Sequence, residues 1–201
     1  MGKVEETIEK IMEATVRVAF QKGFANTRTA DIAKEAGVSE GLIFKYFPTK
    51  KNLFAAILKE NFSRLQMGIN AIIENKSLSA VGKIGALVDY HFDFFANQRN
   101  IAYLVFGHSE RKSIGDDVES ILEYAIKPYV QLVMKILDEG IDSGEFRSFK
   151  PEVIALALIA TMQISVISVI SKILSNSPQE LETTKNEVKE YILSGIKAFN
   201  R

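Results

Sequence analysis

Thr27–Lys50, TRTADIAKEAGVSEGLIFKYFPTK, is the stretch on which the fold turns. It reads as two short helices across a tight turn: Arg28 to Ala36, then Gly37-Val38-Ser39, then Glu40 to Phe47. Either Asn26 or Thr27 can cap the first helix by offering a side-chain oxygen to a free backbone N–H. Asp31 lies near that positive end, where an acid is favoured. Ile32, Ala33 and Ala36 share one side, which is therefore buried. Gly37 can take the positive φ that ends a helix at little cost. Ser39 caps the second helix, and Ile43 and Phe47, four apart, anchor it inward. Glu40, Gly41, Leu42, Phe44, Lys45 and Tyr46 are left facing out. Two helices at a steep angle across a short glycine-containing turn describe a helix-turn-helix, whose second helix can enter a DNA major groove.

Upstream, Lys3 to Lys22 is an amphipathic helix with Val4, Ile8, Ile11, Met12, Val18 and Ala19 at helical spacing. Gly23 ends it and Phe24 tucks back. Three helices thus fill a domain over residues 1–47, small enough to lean on its neighbour. Downstream, Pro48 breaks the second helix of the pair and Thr49 caps the next. That helix runs from Lys50 to about Asn75, long enough to link the first domain to a second over residues 48–201. Further helices are expected at Ser79–Asn97, Asn100–His108, Asp116–Gly140 with Pro128 inside it, Pro151–Leu174 and Pro178–Phe199. The expectation is an all-α protein of about nine helices, with no strand-like alternation and no repeat.

The composition is that of an ordinary soluble protein, 47% hydrophobic and 25% charged. Net charge is formally zero, yet Arg17–Lys51 holds seven Lys/Arg against three Asp/Glu, a local +4. Local positive charge on an otherwise acidic molecule suits a confined phosphate contact. With no cysteine, disulfides, zinc fingers and thiol catalysis are excluded. The charged N-terminus MGKVEETIEK is no signal peptide, and a cytoplasmic protein is expected. Val153–Ser171 is uncharged over 19 residues. Its Thr, Gln and Ser content and the absence of flanking Trp or Tyr favour a buried helix over a membrane span. Ala157, Thr161, Ser165 and Ser168 form a small-residue stripe that permits close approach of another helix, while Ile154, Leu158 and Met162 face the opposite way.

The run DIAKEAGVSEGLIFKYFPTKKNLFAAIL resembles the N-terminal domain of the TetR-type transcriptional regulators. The matching elements are Lys22-Gly23-Phe24, Arg28–Ala33, Gly37–Ser39, the aromatic Phe44–Phe47, Pro48–Lys50 and Leu53. Arg28 stands where the family's run opens with Thr. The resemblance implies that the helix Glu40–Phe47 lies in the major groove. Gly41 lets the backbone approach closely. Glu40 either accepts from a cytosine amino group or serves as a helix-start acid. Leu42 offers apolar contact, as to a thymine methyl. Phe44, where relatives carry Tyr, lacks a phosphate-bonding hydroxyl. Lys45, Tyr46 and Lys50, with Arg28, Thr29 and Ser39 at the helix starts, complete the expected DNA surface.

The same resemblance places an effector in the second domain. Asp89–Phe106, DYHFDFFANQRNIAYLVF, is rich in aromatics, and apolar pockets sit between bundle helices. The expected lining is Phe62, His91, Phe95, Tyr103, Phe106, Met134 and Gln163, which suits a small hydrophobic effector. A homodimer is implied, built as a four-helix bundle from Ala157, Thr161, Ser165 and Ser168 with Val188, Ile192 and Ile196 of the last helix. No catalytic constellation is visible. The two histidines, His91 and His108, lie in different expected helices, and no metal-ligand spacing, nucleophile elbow or phosphate loop occurs. Neither an enzyme nor a bound metal or cofactor is expected. Two readings stand: a ligand-responsive dimeric repressor on a palindromic operator, or a helical carrier of hydrophobic molecules with weak or no DNA binding.

Overall fold

A computed structural model of the chain describes residues 2–106, 117–171 and 177–198. Among the described residues there are nine helices and no strand: α1 (Lys3–Lys22), α2 (Thr29–Ala36), α3 (Glu40–Tyr46), α4 (Lys50–Glu74), α5 (Ala80–Asn97), α6 (Arg99–Phe106), α7 (Asp117–Asp142), α8 (Pro151–Ile170) and α9 (Pro178–Ile196). The all-α expectation holds. The chain divides into two compact units, Met1–Phe62 with Asn100–Glu123, and Ser63–Arg99 with Tyr124–Arg201. The first unit therefore runs past residue 47 into α4.

That extension follows from the size of the helix-turn-helix core. Ile11, Ala14, Val18, Phe24, Ile32, Ile43 and Phe47 are buried, and so are Leu53, Phe54, Ile57 and Leu58 of α4. The Phe24 and Phe54 rings meet at 4.7 Å between centroids. Three helices over fewer than fifty residues bury too little apolar surface alone, and the first turns of α4 supply the rest. Val4, expected in the α1 stripe, is 54% exposed, so the buried stripe begins further along the helix.

Gly37 takes the left-handed conformation, φ 68°, ψ 36°, that closes α2. Ser39 caps α3 by accepting from the Leu42 N–H at 3.2 Å. Thr49 accepts from the Asn52 N–H at 3.1 Å and donates back to the Asn52 side chain. The α2 cap departs from expectation: Arg28 occupies the cap position without a side-chain bond. Asn26 and Thr27 face backwards instead. The Asn26 amide donates to Lys22 O and the Thr27 hydroxyl to Gly23 O. The free carbonyls at the end of α1 need donors as much as the free N–H groups of α2 need acceptors, and here the carbonyls win them.

In the second unit, α5, α8 and α9 pack on one another. Ile84, Leu87, Val88, Phe92 and Phe95 of α5 are buried, with Ala155, Leu158, Met162, Val166 and Val169 of α8 and Ile192 and Ile196 of α9. The α5–α9 contact is pinned by Lys185 to Asp93 at 3.2 Å and by Lys189 to Asp89. Helix α8 is long and apolar enough to cross a membrane by length and composition, but one whole face of it is core. Its hydroxyls turn back on the helix, Thr161 to Ala157 O and Ser168 to Ile164 O, both at 2.8 Å.

The loop after α7 ties several helix ends together. Glu145 accepts from the first N–H groups of α5, Ala80 and Val81, each at 3.1 Å. These bonds hold its carboxyl below the usual carboxylate range. Ser79 adds a cap to Gly82 N–H. Phe146 pairs with Lys197 across an isolated bridge, Arg147 N–H donates to Ile196 O, and Ala198 N–H donates to Glu145 O. The Arg147 side chain adds a bond to Gly195 O. Phe146 lies on Gly140, where a Cβ would come within 2.0 Å of the ring.

Candidate nucleic-acid interface and effector core

Helix α3 buries Ile43 and turns Glu40, Gly41, Phe44 and Lys45 outward, with Leu42 and Tyr46 half-buried. Phe44 is 49% exposed. Gly41 has only the Ser39 hydroxyl near its missing Cβ, at 4.0 Å. The Lys45 ammonium lies 5.9 Å from the Tyr46 ring centre. Ser39, Glu40 and Gly41 are thus exposed at the capped N-terminus of α3, and Phe44 and Lys45 are exposed one turn on, with Tyr46 at its C-terminal end. Arg28 is exposed and Thr29 half-buried at the start of α2.

Lys50 behaves differently from a free phosphate contact. Its ammonium donates to Phe24 O at 2.9 Å, Thr27 O at 3.1 Å and Ala25 O at 3.4 Å. It also lies 4.5 Å over the Phe24 ring. Burial lowers its pKa. The side chain bolts the start of α4 onto the α1–α2 turn. Lys22 is likewise engaged, with Asp31 at 3.0 Å, and that hydrogen bond lowers the Asp31 pKa.

In the second unit, His91 is wholly buried. Its ring stands 4.8 Å from Phe95, 6.4 Å from Phe92 and 6.0 Å from Tyr129, centroid to centroid. Its Nδ1 is 2.8 Å from the Tyr129 hydroxyl. Burial pushes the imidazole pKa down to about 3 and raises that of Tyr129, so both are neutral at pH 7. Among the described residues, His91 Nε2 and Gln163 Nε2 are buried without a hydrogen-bond partner. Of the other expected lining residues, Phe95 is buried and Met134 half-buried. Phe62 is buried in the first unit. The side chains of Tyr103 and Phe106 lie outside the described residues. Tyr129 was absent from the expected set; nothing in its sequence neighbourhood marks it as the partner of a residue 38 positions away.

The expected dimer face divides. Ile192 and Ile196, each 3% exposed, belong to this chain's own core. Ala157 is exposed, and Thr161, Ser165, Ser168 and Val188 are half-buried. Around them stand large apolar side chains in water: Val153 at 58%, Leu156 at 48%, Ile164 at 65% and Tyr191 at 72% exposed. Val153, Leu156, Ala157, Ala160, Ile164 and Ser168 follow helical spacing along one side of α8.

Comparison with known proteins matches both halves. The sequence model described as bacterial regulatory proteins, tetR family, matches residues 11–57. That described as YsiA-like protein, C-terminal region, matches residues 58–195. The fatty acid metabolism regulator protein of Bacillus subtilis strain 168 is 26% identical over 189 residues, covering 93% of this chain and 94% of that protein. Two solved structures share the fold. The fatty acid degradation regulator FadR from Bacillus halodurans has TM-score 0.85 at 22% identity, covering 97% of each chain. FadR from Bacillus subtilis in complex with stearoyl-CoA has TM-score 0.80 at 24% identity, covering 94% of this chain and 98% of the other.

Proposed function

This chain belongs to the TetR family of bacterial regulatory proteins, and from that premise we propose that it is a repressor released from its operator by a long-chain acyl thioester. It is a ligand-responsive, DNA-binding, dimeric transcriptional regulator. Its operator is a short palindrome read by two α3 helices about one DNA turn apart, roughly 34–36 Å. Gly41, Leu42 and Glu40 meet base edges, and Lys45, Tyr46, Arg28 and Thr29 meet phosphates. Lys50 acts by holding the frame of the motif rather than by touching DNA. The dimer forms on α8 and α9 through Val153, Leu156, Ala157, Thr161, Ile164, Ser168 and Tyr191, where exposed apolar surface is concentrated. The protein works in the cytoplasm and does not turn its effector over.

The observation that carries the choice of effector is the end-to-end match to a fatty acid metabolism regulator. The apolar, aromatic, uncharged surroundings of His91 support it. Selection from random duplexes gives the operator, and fluorescence anisotropy then follows its release. Micromolar stearoyl-CoA should release the duplex while free coenzyme A does not, and the thioester should be recovered intact. Stearoyl-CoA that binds without changing operator affinity would sink the mechanism, since a ligand shifts an equilibrium only by its differential affinity for the two states.

A further inference from the structure

The proton of the buried Tyr129 hydroxyl has one acceptor in reach among the described residues, His91 Nδ1 at 2.8 Å. A buried phenol keeps its proton, so Tyr129 donates and Nδ1 accepts. The neutral imidazole must then carry its own proton on Nε2. That N–H is buried and has no partner among the described residues. The Gln163 amide nitrogen on α8, a helix packed against α5, is in the same position. Orphaned buried donors are rare, because an apolar side chain of similar shape avoids their cost. Both call for an acceptor.

The surroundings define what that acceptor belongs to. The ring stands among Phe92, Phe95 and Tyr129, so the oxygen must arrive within an otherwise apolar body. It must also be uncharged. The buried cation of α5, Lys83, is already taken by both oxygens of Glu139, at 2.8 and 2.7 Å. A carboxylate brought to His91 would be a buried charge with no counter-charge among these groups. A neutral carbonyl next to a hydrocarbon chain meets every condition.

Resting on the acyl-thioester reading, we propose that His91 is the specificity-determining residue for the effector's carbonyl oxygen, which accepts from Nε2–H, with Tyr129 as the positioning residue that fixes the tautomer. The test compares stearoyl-CoA with its S-octadecyl thioether analogue, which keeps the chain and the nucleotide and lacks the carbonyl. Calorimetry on the full-length dimer should show stearoyl-CoA binding roughly tenfold tighter than the thioether. The double variant His91→Phe, Tyr129→Phe removes both polar groups and leaves no new orphan. It should bind both probes with the wild-type affinity for the thioether. On the unaltered protein, 15N NMR reads the tautomer directly, because there are only two histidines. The His91 signal should be that of the Nε2–H form, and its Nε2–H proton should move with stearoyl-CoA and not with the thioether. Equal wild-type affinities, discrimination that survives the double variant, or an Nδ1–H signal would each overturn the proposal. Failure of both probes to bind would overturn the acyl-thioester reading itself.

Discussion

Lys50 holds three carbonyls and an aromatic face at once, and its long stem makes this possible. Its position after the helix-turn-helix pair suggested a phosphate contact, since periodicity places a residue on a helix but not the end of a flexible side chain. Lys50→Met should lower stability by about 1–2 kcal/mol, the scale of charge-assisted hydrogen bonds partly offset by solvent, and this is measurable by urea titration. It should weaken DNA binding for all sequences alike. The slope of log affinity against log salt should stay unchanged; a slope reduced by about one would instead mark a lost phosphate contact. Tyr129 was invisible for a related reason. Its bond to His91 spans two helices, and no local pattern encodes it. The glycines give a second test. At Gly140 a Cβ would strike the Phe146 ring, and at Gly68 it would strike Tyr90 at 2.1 Å. Phe146 is 3% exposed and fixed by its bridge, whereas Tyr90 is half-buried at the surface and can move at the cost of its hydroxyl bond to Arg64 O. Gly140→Ala should therefore cost about 1–3 kcal/mol through overpacking. Gly68→Ala should cost less, since only the far end of a side chain must move there, while helix propensity returns about 1 kcal/mol at either site.

At the level of elements, boundaries were legible and faces were not always so. Caps and breakers are chemical signals: Ser39, Thr49, Ser79, Gly37 and the prolines that open α8 and α9 sit where the helices begin or end. Helix α9 carries one apolar stripe on a polar helix, and its own core claims Ile192 and Ile196 from it. Helix α8 is apolar all round, so hydropathy alone names no preferred face; the small-residue stripe set Leu158 and Met162 on the opposite, inward side, where both are buried, and packing adds that Ala155 turns in while Val153 and Ile164 turn out. Ile164→Glu places a charge on that outer face and should yield monomers by sedimentation without lowering helix content. A variant that stays dimeric would move the interface elsewhere. Glu145 makes α5 sensitive to acid. Its folded pKa is depressed, first by its bond to Val81 N–H. Its contribution is thus present above the ordinary carboxylate pKa and is lost as pH falls through the lower folded value. Glu145→Gln should lower stability at pH 7 by about 1 kcal/mol, the scale of a lost cap, with the difference from wild type vanishing in that acid window.

For the molecule as a whole, charge is distributed to suit its role. The chain is neutral overall, so its affinity for DNA rests on the local excess around the helix-turn-helix, and part of that excess is engaged internally through Lys22 and Lys50. Few lysines and arginines remain for phosphates. Operator affinity should accordingly fall with salt on a shallow slope, corresponding to a handful of contacts per protomer, and specific recognition should lean on Phe44, Leu42 and the close approach at Gly41. A steep slope would show that basic residues outside α2 and α3 reach the duplex.

The loop at Glu145 also sets which parts of the second unit come apart together. It joins the N–H groups of Ala80 and Val81 to those of Arg147 and Ala198 through one short segment. Opening of this segment releases the start of α5 and the end of α9 together. In hydrogen–deuterium exchange, these four amides, remote from one another along the chain, should therefore share a single opening free energy and exchange as one cooperative block. Arg147→Pro, which deletes one of these N–H groups, should lower the protection of the other three at once.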